Sequence, residues 1–596
     1  MHGSSETITF SRDIAPIVVD RCGSCHRPGG AAPFSLLTYA DVKQRTTQIA
    51  DVTRRGFMPP WKSEPGYGEF VGQKRLSPAE IALIGRWVAH EAPEGDPSDL
   101  PKLPRWPEGW QLGTPDVIVT FPEYTLGPDG TDAFRIFVLP VPIDSTRFVK
   151  GLEFRPGNSR VVHHANIRID PTPTSRSLDE QDPDPGYDGL IAHTAVYPDG
   201  HFFGWTPGQL PTLLPKGMAW RLERSADLVV QVHMRPSGKV ERVQPTIGLF
   251  LASDPPERTP AMLRLGRQNI DIPAGDAAYT IEDSYVLPVD VEVYAVQPHA
   301  HYRARDVRGW ATLPDGSRKW LIFIKDWDFR WQHVYRPVAP IVLPKGTTLA
   351  MRFTYDNSAE NPRNPQRPPR RAVWGQRSSD EMGDLWIQVL TRDTRDLAAL
   401  TRAFRPKVLA EDIVGYEMVI RSDPENAALH DDVAMLYLDL GRADEAVRHF
   451  QTSLRLNPQL AAAHYNLATA LSVAGRLDEA IREYEEALRI NPGYAKAHNN
   501  LASVLMSQGE LDEAIRHGRE ALRLNPDNPE AHFTMSRALE RQGDIQGAIA
   551  HAREALRLKP GWEPARAQVE SLRAKLAKSG IRDQGAGTIK PDDLYL

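Results

Sequence analysis

The chain has two cysteines, Cys22 and Cys25, and both lie in RCGSCH with His26 following at once. Thiols two residues apart suit half a zinc site, a redox dithiol or a haem attachment, and the adjacent histidine selects the third. The thiols can bond the haem vinyl groups while His26 reaches the iron as axial ligand. A redox dithiol would need strand–helix–strand surroundings, and here the flanking pattern is helical. Further along, histidines fall in groups: His163 and His164 in VVHHANIRID, His233 in VVQVHM, and His299 and His301 in QPHAHYR. Residues two apart on a strand share a face, so His299 and His301 form a two-pronged chelate. Adjacent strand residues face opposite ways, so His163 and His164 read as one toward a core and one toward water. A lone strand histidine such as His233 is more often hydrogen-bonded or superficial than a ligand. Met382, in GQRSSDEMGDLWIQV, has core packing as its ordinary role.

The elements that would position these residues change in kind along the chain. Before the cysteines, FSRDIAPIVVDRC predicts a short helix with Ser11 as N-cap and Asp13 in its first turn. After them, LSPAEIALIGRWVAHEA predicts a second, with Ser77 as N-cap, Pro78 at the first position and Glu80 closing a capping box. Ile81, Ile84, Trp87 and Val88 lie on one stripe of it. Between the helices, GFMPPW offers Met58 as the sixth iron ligand, on backbone stiffened by two prolines. His90 is the alternative, though it reads more simply as a polar residue at a helix end. Residues 1–92 resemble class I cytochromes c. The resemblance implies one covalent haem c held by Cys22, Cys25, His26 and Met58, and a periplasmic or secreted location. The start, MHGSSETITF, lacks the charged and apolar regions of a signal peptide.

Residues 93–115 are proline-rich and read as a semi-rigid linker. Between 116 and 395 come short β-rich runs broken by Pro, Gly and Asp, a pattern expected of two antiparallel sandwiches, 116–255 and 256–395. The order HH, VH, HxH and SSDEM across these halves resembles the copper type II, ascorbate-dependent monooxygenases, a family that includes peptidylglycine alpha-hydroxylating and dopamine beta-monooxygenase. The resemblance implies a jelly-roll-like fold and two coppers, one on His163, His164 and His233 and one on His299, His301 and Met382. It also implies that His299, His301 and Met382 form the catalytic site, where O₂ and a substrate C–H bond react, while the three-histidine site supplies an electron. Imidazole suits copper in both oxidation states and thioether favours Cu(I), in keeping with that division. His193, His201 and His333 read as structural or supporting residues. The sequence departs from the family in two respects: this region has no cysteine, and Gln297 stands where the peptide-specific members have an arginine that holds the peptide carboxylate, with Trp386 where they have a tyrosine. The substrate is therefore left open.

The last region shows a 34-residue period: Pro424, Pro458, Pro492, Pro526 and Pro560, with Gly441, Gly475, Gly509 and Gly543 between them and Ala446, Ala480, Ala514 and Ala548 following. This is the tetratricopeptide pattern, expected as an α-helical solenoid over 424–577 with a capping helix, joined by a helical segment at 396–423 and followed by a tail at 578–596. His430, His464, His498 and His532 recur at the same period, which the repeat alone explains.

With 596 residues, 41% apolar and 25% charged, and a net charge of −6, the chain is an ordinary multidomain globular protein. It lacks the basic excess of a nucleic-acid binder and any membrane-length apolar run. Two functions follow. One is a monooxygenase whose fused haem takes electrons from a redox partner or a small reductant such as ascorbate, with a protein or peptide on the repeats. The other is a non-catalytic haem- and copper-containing electron-transfer or copper-binding scaffold. A third, an assembly protein whose repeats matter more than its metals, is also carried.

Overall fold

The computed structural model describes residues 7–578 apart from 29, 31, 107, 108, 131, 189, 190, 193, 199, 200, 202, 203, 207–210 and 376. The chain divides into two compact units, Met1–Val408 and Leu409–Leu596.

The first unit begins with helices. A π-type turn, Phe10–Ile14, leads into Ala15–Arg21. Ser11 is not the cap: Thr9 occupies that position, and its N–H donates to Asp13 Oδ2 at 2.8 Å, leaving Ser11 inside the turn and buried. Two helices that the apolar pattern does not announce follow, Tyr39–Lys43 and Thr46–Arg54; each buries one residue, Val42 and Thr53. The helix Pro78–Ala89 carries the Ser77/Glu80 capping box and buries Ile84 and Trp87 among Phe10, Ile14, Val18 and Val42. His90 forms its C-cap.

The β-region holds four four-stranded antiparallel sheets with smaller two-stranded pieces. In the first half, Ala133–Pro140, Asp227–Met234 and Val162–Asp170 lie side by side with Gly204–Trp205 at the edge. This sheet packs on the one containing Arg147–Arg155 and Thr246–Ala252, sharing a core of Phe121, Phe137, Val149, Phe154, Ile167, Trp220, Val230 and Leu249. In the second half, Val291–Ala300 and Gly383–Thr391 pair in one sheet, and Ala304–Thr312 and Thr348–Tyr355 in another. Packing between those layers is close enough that a Cβ on Gly309 would meet Leu385 Cδ2 at 2.5 Å. Residues 57–75 of the helical region lie against the second half: Glu64 N–H donates to the Phe323 carbonyl (2.7 Å) and Val71 N–H to that of Arg336 (2.8 Å).

The second unit is a regular array of paired helices: 427–439 with 443–456, 461–473 with 477–490, 495–508 with 511–524, and 529–542 with 545–558, closed by Glu563–Lys578. Ala446, Ala480, Ala514 and Ala548 are buried where the helices of a pair touch. Gly509 and Gly543 end helices in the left-handed conformation, at φ 93° and 95°, which glycine adopts without penalty. No helix among the described residues is long and apolar enough to cross a membrane.

Candidate metal centre

The strand bearing His163 and His164 is irregular where it matters. Val162 pairs with Met234 and His164 with His233, so His163 is an extra residue inserted into the ladder. In such a bulge two residues oppose one on the partner strand, and the local twist turns both toward it. Strict alternation alone would set one imidazole toward the core and one toward water; the bulge instead turns both toward His233, the convergence that one copper shared by His163, His164 and His233 requires. The Nδ1 atoms of His163 and His164 are 3.4 Å apart and those of His164 and His233 are 3.3 Å apart. Ligand atoms of the three residues all lie within 4.8 Å of one another. Phe134, the cross-strand neighbour of His233, stacks on its ring at 4.2 Å with planes 3° apart, fixing its orientation.

Burial acts on two of these imidazoles. It pushes the His163 imidazole down to about 4, helped by the neighbouring His233 and Arg235, and holds His164 well below the ordinary value. The converging Nδ1 atoms are short of hydrogens: one ring nitrogen has one lone pair or one hydrogen, so His164 Nδ1 cannot satisfy both neighbours in full. A cation accepted by three lone pairs removes that conflict.

His299 and His301 lie at the end of Val291–Ala300, whose register puts Ala300 opposite Gly383; continuing it sets Met382 across from His301. Both imidazoles have Nδ1 engaged: His299 with Gln332 Oε1 at 2.5 Å and His301 with the Asp380 carbonyl at 3.2 Å. Gln332 Nε2 donates to the Phe329 carbonyl at 3.0 Å, which orients its amide. Acceptors at Nδ1 require hydrogen there, leaving Nε2 of both rings as lone-pair donors. Burial lowers both histidines, His301 well below the usual range.

Four residues absent from the sequence reading complete the site. Glu381, wholly buried, accepts backbone N–H groups from His301 (2.5 Å), Arg303 (3.0 Å) and Met382 (3.1 Å), so one carboxylate clamps the His301 and Met382 segments together. Burial pushes its carboxyl up to about 7. Phe329 stands between the two histidine groups, its ring centre 5.6 Å from His163, 6.4 Å from His164 and 5.4 Å from His301. Gln332 is the third. Asp132 is the fourth: against the upward push of burial, His233, Ser378 and Arg235 hold its carboxyl down at about 2. Glu381 stood in a motif already noted; the other three are distant in sequence and carry no local signal.

In the helical region, His26 Nδ1 is 3.1 Å from the Phe34 carbonyl, so the hydrogen is on Nδ1 and Nε2 is the free donor. The Cys22 thiol is pushed up to about 12 by burial and by Cys25. Met58 follows the helix Thr46–Arg54, its N–H donating to the Val52 carbonyl at 3.2 Å. Phe57 lies on the Arg330 guanidinium at 5.2 Å, and the Pro60 carbonyl is 3.3 Å from His333 Nε2. His333 is half-buried, His201 is buried with Nδ1 3.4 Å from Gln388 Nε2, and His193 lies outside the described residues. Gln297 and Trp386 are cross-strand partners, with Tyr197 edge-on to Trp386 at 5.4 Å.

Among known proteins, the tetratricopeptide repeat family matches residues 434–495, 470–529 and 499–561, so this part of the chain is a tetratricopeptide array. No curated protein matches the chain. Solved structures similar to it include a crystal structure of MamA, 25% identical over 28% of this chain and 91% of that one, TM-score 0.24. Another is MamA 41-end from Desulfovibrio magneticus RS-1, at 17% identity, 26% and 87% coverage and TM-score 0.24. A third is YrrB, described as a TPR protein with an unusual peptide-binding site, at 20% identity, 28% and 85% coverage and TM-score 0.24.

Proposed function

We propose that this chain is an extracytoplasmic copper-dependent monooxygenase that hydroxylates a substrate C–H bond with O₂, with a c-type haem module as its electron entry and a tetratricopeptide array for a protein or peptide partner. The observation that carries the reading is the bulge that gathers His163, His164 and His233 with Nδ1 atoms converging. Bound copper would supply one-electron redox chemistry and activation of O₂.

Each residue has a definite part in this reading. His163, His164 and His233 present Nδ1, and an all-imidazole set suits a copper that changes oxidation state. His299 and His301 present Nε2, their Nδ1 hydrogens being tied to Gln332 and Asp380; Met382 adds the thioether that favours the reduced ion. Phe329 packs its ring near His163, His164 and His301, and Glu381 keeps the His301 and Met382 backbones in register. In the helical module, Cys22 and Cys25 would carry the thioether links, and His26 Nε2 and Met58 would bind the iron. Covalent haem attachment, as in the cytochromes c that residues 1–92 resemble, supports a periplasmic or secreted setting.

Metal analysis of the intact chain tests the proposal, with two coppers and one covalent haem per chain expected. Zinc in these sites, or no metal, overturns it. Met382→Ala should abolish substrate-dependent O₂ consumption; unchanged consumption would leave only the electron-transfer reading.

A further inference from the structure

We propose that Asp132 is a positioning residue that ties the three-histidine cluster to the turn carrying Met382, so that a metal held by the first is felt at the second. The inference rests on the metal-binding reading above and adds a coupling between the two histidine groups.

Asp132 immediately precedes the strand Ala133–Pro140, in which Phe134 is the cross-strand neighbour of His233. This register places the carboxylate at the far nitrogen of the His233 ring: Asp132 Oδ2 lies 3.2 Å from His233 Nε2. His233 is wholly buried, and Nε2 has no in-line hydrogen-bond acceptor. If Nδ1 offers its lone pair to the cluster, the ring hydrogen is on Nε2, beside this carboxylate. A carboxylate there stabilises that tautomer and makes Nδ1 a stronger donor. Metal binding, which draws positive charge onto the ring, would pull Asp132 into line with Nε2.

The same carboxylate oxygen accepts a short hydrogen bond from Ser378 Oγ. Ser378 belongs to the turn 377–381 before Met382, which is already fixed to the other histidine group. The Asp380 carbonyl accepts from His301 Nδ1, and the Glu381 carboxylate accepts from the His301 and Met382 backbones. Arg235 Nε, 3.4 Å from the other carboxylate oxygen, steadies the side chain. A shift of Asp132 toward His233 therefore acts on the turn that sets His301 and Met382. Residues of the two β-halves meet at this one carboxylate.

The test uses the full chain with His299→Ala as parent, so that added cupric ion is directed to the three-histidine cluster. Two quantities are read: copper affinity and hydrogen exchange of the amides of 377–382. Copper should slow exchange in that turn in the parent. Asp132→Asn should weaken copper binding by about 10- to 100-fold. Ser378→Ala should abolish the slowing while lowering affinity less than Asp132→Asn does, since coupling between the sites is reciprocal, and it decides the matter should Asp132→Asn fail to fold. Unchanged affinity in Asp132→Asn, or slowing that survives in Ser378→Ala, overturns the role of Asp132 while leaving the metal sites standing. A parent and wild-type chain that take up no copper overturn both.

Discussion

Lowering the pH from 7.5 to 5.0 should loosen the last two tetratricopeptide repeats. The reason is a contact between the two helices of each repeat. His498 Nε2 faces the Pro492 carbonyl at 3.2 Å and so carries its hydrogen there, while His498 Nδ1 is 2.9 Å from His517 Nδ1. His498 must accept and His517 donate, which leaves His517 Nε2 without a hydrogen, facing an Arg516 guanidinium nitrogen at 2.8 Å. His532 and His551 repeat the arrangement, with the Pro526 carbonyl at 2.9 Å and Nδ1 atoms 3.0 Å apart. Burial, then Arg516 and His498, against Glu513 and Glu520, hold His517 down at about 4. Burial, then His532, with Arg519 and against Asp544 and Glu554, do the same for His551.

These folded-state values lie below the ordinary 6.5, so between pH 6.5 and about 4 the unfolded chain binds more protons than the folded one. The stability is fully present above 6.5 and is lost as the pH falls toward 4. At pH 5.0 the gap of about 1.5 units is worth about 2 kcal/mol per pair, counting one proton per pair because the two rings are coupled. That is a factor of about 30 in local opening for each pair. Hydrogen exchange by mass spectrometry on the intact chain, corrected for intrinsic rates, reads it directly in residues 495–558. The first two repeats serve as the control. There the histidines face carboxylates instead, His449 Nε2 with Glu417 at 3.1 Å and His464 Nδ1 with Glu483 at 2.7 Å. Protection in 495–558 that is unchanged at pH 5.0, or that falls equally in the first repeats, would refute the reasoning. His517→Phe with His551→Phe should flatten the response.

Two further outcomes are expected in the first unit. Ser77→Ala removes half of the capping box of Pro78–Ala89 and should destabilise that unit by about 1 kcal/mol, read as a lower denaturation midpoint at constant slope. Gly157 sits at φ 68° with the Gln244 carbonyl oxygen 2.3 Å from where a Cβ would stand, so Gly157→Ala should cost about 2 kcal/mol or more, visible as a depressed melting temperature.

What could be read from the sequence was what is local or periodic. The Ser77, Pro78 and Glu80 signals depend on residues within one turn, and the repeat depends on a count. Ser11 fails as the cap because a π-type turn moves that position to Thr9, whose N–H is held by Asp13 reaching back to it. Helices Tyr39–Lys43 and Thr46–Arg54 bury too little to carry an apolar stripe. The period explains why His430, His464, His498 and His532 recur, but not what each one meets. Their partners lie 19 residues on, on the second helix, and the line His449, His517, His551 is broken by Glu483. Asp132, Phe329 and Gln332 reach the site through tertiary packing, for which no spacing rule exists.

One signal for the bulge was present in the strand itself. Val162 and Ala165 both enter the core shared by the first pair of sheets, yet they are three residues apart, and strict alternation places only residues an even number apart on one face. An extra residue between them resolves the conflict, and the ladder identifies it as His163. Removing His163 should therefore repair the alternation: Val162, then His164, then Ala165, with Val162 and Ala165 on one face and Ile167 following. The deletion variant should fold with near-native stability, since the pairs from His164–His233 to Asp170–Asp227 are kept. It should lose one of three converging nitrogens and, with it, tight metal binding at this cluster. Deleting Ile167 is the contrast, because a one-residue slip there turns every later side chain to the wrong face and should unfold the sheet. Thermal melts and copper titration of the two deletions separate these outcomes. A His163 deletion that melts as low as the Ile167 deletion would show the residue to be part of the strand's regular pairing, and the bulge account of the cluster would fall with it.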